Sequence, residues 1–178
     1  MDPLAFHREA LAVAQRVVDG IDRSQFELPT PCDEWNVRAV LEHMIGGNRR
    51  VAGNPGAEDE DVIGDDASAS YATSAAGAAA AFEAEGGLER MYVLRIGEFP
   101  GHFAVRARST DQLAHAWDLA KATGMSTDLA PDLYAEALDL LQNRFATIGR
   151  SSSFADEKQP PPGATSADRF AAFAGRRA

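Results

Sequence analysis

From Phe103 to Thr123 the chain runs without a proline or a glycine, and it stops at Gly124. Neither helix breaker interrupts it and a left-handed-tolerant residue closes it, so it reads as one long helix. The rest of the chain repeats the pattern at shorter length. Leu4, Leu11, Ala14, Val17, Val18 and Ile21 recur at three, four and seven, the period of an amphipathic helix ending near Gly20. After the irregular stretch Glu27 to Asp33, with its two prolines, Asp33 is expected to cap a second helix. That helix carries Trp35, Val37, Val40, Leu41, Met44 and Ile45, and fades at Gly46-Gly47 or runs on to Gly53.

Ala69 to Ala84 is rich in alanine, the residue that costs least to order in a helix, and gives a third helix that ends at Gly86-Gly87. Met91 to Ile96 is a short β-like run and Pro100-Gly101 a turn. Beyond Gly124, Pro131 opens a helix through Leu133, Ala137, Leu138, Leu141 and Phe145. Ser151 to Ser153 and Pro160 to Pro162 form an irregular tail, closed by a short helix around Asp168 to Phe173. The expectation is an all-α fold, a helical bundle. With 178 residues, 45% of them hydrophobic, the chain can bury one sizeable core, so a single domain over residues 1–178 is expected.

The net charge of −10 leaves no basic patch to neutralise phosphates, so no nucleic-acid partner is expected. Much of the acidity sits in a solvated loop, at Glu58, Asp59, Glu60, Asp61, Asp65 and Asp66. Cys32 is the single cysteine, which excludes an intramolecular disulfide and any multi-cysteine metal site and fits a reducing cytoplasm. The first residues lack the basic start and apolar core of a secretion signal, and no apolar run is long enough to span a membrane.

The histidines are His7, His43, His102 and His115. Asp111 and His115 stand one helical turn apart, with Arg108 and Asp118 on the same side and Leu113, Ala116, Trp117 and Ala120 opposite. A carboxylate and an imidazole at that spacing can share a divalent ion, as on the helices of bundle metal sites, or form a solvated ion pair on a polar face. His43, beside the side-chain-free Gly46 and Gly47, is the best third ligand, and His102 is held in reserve. Asp118 either orients a ligand or pairs at the surface with Lys121 or Arg108. His7 is expected in a packing or surface role, Trp35 and Trp117 in the core, and Cys32 as a small structural residue rather than a thiol activated at a helix start. No phosphate loop, nucleophile motif or calcium loop is present.

Two segments carry a resemblance. Thr30-Pro31-Cys32, then Trp35, Val37, His43 and Gly46-Gly47, is similar to a signature of the DinB/YfiT-like metalloprotein superfamily. The branch is that of the metal-binding domain of mycothiol-dependent maleylpyruvate isomerase. Asp111, His115, Trp117-Asp118-Leu119-Ala120 and Ala122-Thr123-Gly124 resemble the second signature of that branch, and Asp168 to Arg176 resembles the ending of its short members. The resemblance implies a DinB-like four-helix bundle with a short extra C-terminal helix. It implies a divalent metal, zinc or nickel, held by His43, Asp111 and His115. Asp111 replaces the glutamate of the isomerase, and the isomerase's second domain has no counterpart here.

Two functions are therefore expected. One is a mycothiol-dependent transferase or isomerase acting on a small electrophile, whose metal would hold the thiol as a thiolate. The other is a non-catalytic metal- or small-ligand-binding stress-associated protein, a homodimer through its alanine-rich helix faces. Open positions on the ion, facing a pocket, would favour the first, and four or more protein ligands the second.

Overall fold

The structure, a computed structural model, describes residues 1–33, 35–54, 61–150 and 154–177. The expected acidic loop at Glu58 to Glu60 and the serines Ser151 to Ser153 lie outside the described residues. Among the described residues the chain forms α1 (Pro3–Asp19), α2 (Val37–Val51), α3 (Ala67–Glu83), β1 (Met91–Leu94), β2 (Gly97–Pro100), α4 (Gly101–Ala122), α5 (Pro131–Ile148) and α6 (Ser166–Phe173). The fold is mostly helical, as expected. No helix is long and apolar enough to cross a membrane among the described residues.

α1, α2, α3 and α6 start where a side chain satisfies one or more of the first free amides, whereas α4 and α5 start at Pro100 and Ala130 without a side-chain cap. Asp2 accepts from the amides of Leu4 and Ala5 with Pro3 in the first turn, and Asp66 accepts from Ala69 N, so α3 begins before the alanine run. Thr165 and Asp168 make a reciprocal capping box for α6. The cap of α2 corrects the sequence reading. Asn36, not Asp33, accepts from Ala39 N, because Asn36 pairs back with Pro29 in an isolated bridge and Trp35 N donates to Cys32 O. These bonds hold residues 29–33, 35 and 36 outside the helix, next to its start.

Met91 to Ile96 forms more than a local extended piece. β1 and β2 pair antiparallel, with Leu94 opposite Gly97 and Met91 opposite Pro100, so Arg95 and Ile96 sit at the hairpin tip. α4 then begins at Gly101, two residues earlier than expected, and Thr123 forms its C-cap. A Cβ at position 101 would stand 2.1 Å from Gly87 O, so only glycine fits that crossing.

α4 is the centre of the bundle and packs on α1, α2, α5 and α6. Both of its faces are buried. Trp117, Leu113, Ala116 and Ala120 enter the main core with Phe6, Leu41, Met44, Ile45 and Tyr134, while Arg108, His115 and Asp118 on the other side are buried too. The solvated reading of that polar face is therefore corrected. A second apolar cluster of Val51, Phe82, Tyr92, Leu94 and Val105 lies against the hairpin. α6 is tied to the core through Asp168 Oδ1, which accepts from Trp117 Nε1 at 3.0 Å and from Thr127 Oγ1 at 2.9 Å.

Candidate metal centre

α2 and α4 bring His43, Asp111 and His115 to one point, with one donor atom from each lying within 4.8 Å of the others. His43 Nε2 is 3.3 Å from Asp111 Oδ1 and 3.2 Å from Oδ2, and His115 Nε2 is 3.6 Å from Oδ1. The two imidazoles meet edge to face, centroids 4.8 Å apart at 70°. Side-chain exposure grades from 6% at His115 through 12% at His43 to 30% at Asp111, so the carboxylate is the member that solvent reaches.

His115 and Asp111 are held from behind. Asp118 Oδ2 accepts from His115 Nδ1 at 3.0 Å, which places a proton on Nδ1 and turns Nε2 toward Asp111. Burial raises the Asp118 carboxyl, but His115 and Arg176 reverse this and hold it below the usual carboxylate range, so it remains an acceptor. Arg108 Nη1 donates to Asp111 Oδ2 at 2.7 Å and its Nη2 to Asn48 Oδ1 at 3.1 Å. Asn48 Oδ1 also accepts from Gln112 Nε2, and Tyr71 donates its hydroxyl to Gln112 Oε1 at 2.7 Å. Burial pushes the Asp111 carboxyl up, and His43, Arg108 and His115 more than reverse this, holding it well below the usual range. Burial also pushes the His43 imidazole down, more than Asp111 raises it, so His43 is neutral at neutral pH.

These residues fit a divalent cation. Two imidazole nitrogens and one ionised carboxylate are the donors that zinc and its neighbours take. Donors bonded to one tetrahedral ion at about 2.0–2.1 Å stand roughly 3.3 Å from one another, close to the spacing found here. His115 Nε2 and Asp111 Oδ1, 3.6 Å apart, are farther from each other than a direct hydrogen bond requires and leave a place for a cation between them. Aspartate in place of glutamate is accommodated because Asp111 already reaches both histidines. A second group, Cys32, His115 and Asp118, also has one donor from each residue mutually within 4.8 Å. It fits less well, since both Asp118 oxygens are engaged by His115 and Arg176 and burial raises the Cys32 thiol.

A cavity of about 690 Å³ opens onto the triad. Trp35, expected in the core, packs half-buried against it and also stands in the cavity wall, 4.7 Å from the His43 ring and 5.5 Å from the His115 ring. Arg95, at the hairpin tip, lies over Trp35 at 5.7 Å. Arg50, Arg95, Arg108, Arg144 and Arg176 all line the cavity, a concentration of cations in a chain of net charge −10. Cys32 lines it as well, half buried, and is no part of the apolar core. His102 is exposed at the start of α4 and away from the site, while His7 is buried against Phe82 and Ser109 in the packing role expected of it. The sequence reading missed Arg144 and Arg176, which arrive from α5 and from the segment after α6. Only the Gly175-Arg176 ending, already part of the resemblance, carried any signal of the latter.

Residues 7–120 match the family described as the mycothiol maleylpyruvate isomerase N-terminal domain. Two uncharacterized proteins of Mycobacterium tuberculosis, from strains CDC 1551 / Oshkosh and ATCC 25618 / H37Rv, are each 39% identical over 186 aligned positions, covering 99% of this chain and 98% of theirs. The fold is shared with the crystal structure of the mycothiol-dependent maleylpyruvate isomerase at a TM-score of 0.63 and 16% identity, over 88% of this chain and 75% of that one. A variant of that enzyme with a histidine replaced by alanine gives the same TM-score at 15% identity. The three donors fall inside the matched residues, and Arg144 and Arg176 fall beyond them. The chain thus belongs to the family of the mycothiol maleylpyruvate isomerase N-terminal domain.

Proposed function

We propose that the protein is a metal- and thiol-dependent transferase or isomerase of a small electrophile, with mycothiol as the thiol and zinc or nickel held by His43, Asp111 and His115. The observation that carries this reading is the convergence of the three donors at a cavity of about 690 Å³, within the volume range of small-molecule sites. A bound divalent ion supplies a lowered thiol pKa, so that the sulfur is a thiolate nucleophile at neutral pH.

The chain's own side chains do the rest. Asp118 keeps the His115 Nε2 lone pair turned to the site, and Arg108 holds Asp111 Oδ2 so that Oδ1 stays directed at the histidines. Trp35 shields the two imidazoles on one side. Arg95 and Arg144 put guanidinium charge on the cavity wall, which favours an electrophile carrying carboxylate. Three protein donors facing a cavity leave positions for thiol and substrate, which supports the enzyme over a closed structural site.

The test is a conjugation and isomerisation screen with mycothiol, on metal-free, zinc-loaded and nickel-loaded protein, using maleylpyruvate and other carboxylated electrophiles beside uncharged ones. Metal-dependent turnover of a carboxylated electrophile is expected. Metal uptake with no turnover of any of them would favour the non-catalytic binding protein.

A further inference from the structure

We propose that Arg176 is a positioning residue of this site, clamping Asp118 so that the His115 ring keeps its orientation and its tautomer. The consequence for metal binding rests on the reading above, whereas the tautomer belongs to the metal-free chain.

Asp118 has no exposed side-chain surface, so its charge must be met inside the protein. Arg108 and Lys121, its expected partners, go elsewhere: Arg108 to Asp111, and Lys121 over the Trp117 ring at 5.9 Å. Arg176 takes their place across 58 residues of sequence, its Nε donating to Oδ1 at 3.2 Å and its Nη2 to Oδ2 at 3.0 Å. Two parallel bonds from a rigid fork fix the plane of a carboxylate as one bond from an ammonium cannot. With that plane fixed, the second lone pair of Oδ2 has one direction left, and His115 Nδ1 occupies it at 3.0 Å. Outer partners of this kind set which nitrogen of a histidine is free to bind.

The guanidinium arrives already placed. Arg176 Nη1 donates to Ala174 O at 3.2 Å. Arg150 Nη1 donates to Ala155 O and Phe173 O at 2.9 and 3.0 Å and holds the segment down independently of Asp118. Gly175, at φ +93°, crosses Ala155 so closely that a Cβ would meet Ala155 O at 2.7 Å. The same segment walls the cavity with Ala155, Gly175 and Arg176. The family-matched residues therefore provide the donors, and the chain beyond them provides the clamp.

The test reads the histidine nitrogens of metal-free, ¹⁵N-histidine-labelled protein by NMR, and zinc affinity by calorimetry with zinc alone. In the wild type His115 should carry its proton on Nδ1. Arg176→Ala should mix the tautomers and weaken zinc about 10- to 100-fold. Asp118→Asn should invert the tautomer, because its amide donates to Nδ1 while its oxygen still faces Arg176. Arg176→Lys, which keeps the charge without the fork, should fall between Ala and wild type. Arg150→Ala, which loosens the segment but leaves the fork in place, should shift the tautomer less than Arg176→Ala. An unchanged tautomer in Arg176→Ala overturns the clamp whatever zinc does, and so does an equal loss in Arg150→Ala. If Arg176→Ala fails to fold, Asp118→Asn and Arg176→Lys carry the same decision. Failure of the wild type to bind zinc would sink the metal reading and leave the tautomer result to judge the clamp.

Discussion

His43 and Asp111, 68 residues apart in the sequence, meet with Nε2 of one 3.2 Å from Oδ2 of the other. The contact joins α2 to α4 at the floor of the cavity, and the Arg108 guanidinium presses on the same carboxylate at 2.7 Å. Asp111 thereby serves two masters, the bundle's internal charge balance and the pair of imidazoles.

Gly47 makes that balance possible. A Cβ there would stand 2.6 Å from Arg108 Nη1 and 2.7 Å from Cζ, and the guanidinium is pinned by Asp111, Asn48 and Met44 O. Gly47→Ala should displace Arg108 and cost about 1–3 kcal/mol by overpacking, read as a lower urea midpoint. Unchanged stability with Arg108 unmoved would show that the packing has slack.

His7 makes stability depend on pH. Burial, then Arg108, pushes its pKa down from 6.5 to about 3. Below 6.5 the unfolded chain takes a proton that the fold refuses, so this contribution is lost as pH falls from 6.5 towards 3. Between pH 7.5 and 5 it should remove about 2 kcal/mol. In His7→Leu that part of the acid sensitivity should vanish in urea titrations at the two pH values. An equal acid loss in His7→Leu would assign the sensitivity elsewhere.

Cys32 should be a slow thiol. Burial is the largest influence raising its pKa, only partly offset by Arg176, so alkylation by iodoacetamide at pH 7 should be slower than that of a free low-molecular-weight thiol. Cys32→Ser should keep metal content and any thiol transfer near wild type. Loss of transfer with metal retained would make Cys32 a nucleophile.

Arg144 lines the cavity, with its Nε buried and without a hydrogen-bond partner among the described residues. Arg144→Gln should raise KM for a carboxylated electrophile about tenfold, the scale of a lost charge-assisted hydrogen bond, and spare an uncharged one. Equal effects on both would remove Arg144 from substrate recognition.

The helices and the Asp111–His115 pair are legible because both depend on local spacing, whereas no local spacing brings His43 to them across 68 residues. Apolar residues at three and four, and breakers at Gly124 and Pro131, determine helices on their own, and one helical turn is enough to align Asp111 with His115. Asp33 failed as a cap because the choice between it and Asn36 depends on Pro29, a pairing that no local pattern records. The sequence leaves Asp118 between orienting a ligand and pairing at the surface for a related reason. Its burial depends on Arg176, which reaches it only after α5 and α6 have turned the chain back onto α4. The type of Trp35 points to the core, against which it packs, but its second contact, with the cavity and the two imidazoles, depends on the bonds that shape the segment before α2.

One ion bound by three side chains is the centre of the proposed function. The direct measurement is a crystal structure of zinc-soaked protein at pH 7.5 with anomalous data at the zinc edge, paired with metal analysis of His115→Ala and Trp117→Phe. The expected result is one zinc per chain bonded to His43, Asp111 and His115, lost in His115→Ala and retained in Trp117→Phe, whose indole is buried on the other side of α4. Zinc bound elsewhere, or none taken up at neutral pH by a chain whose His43 and His115 still face Asp111, would contradict it.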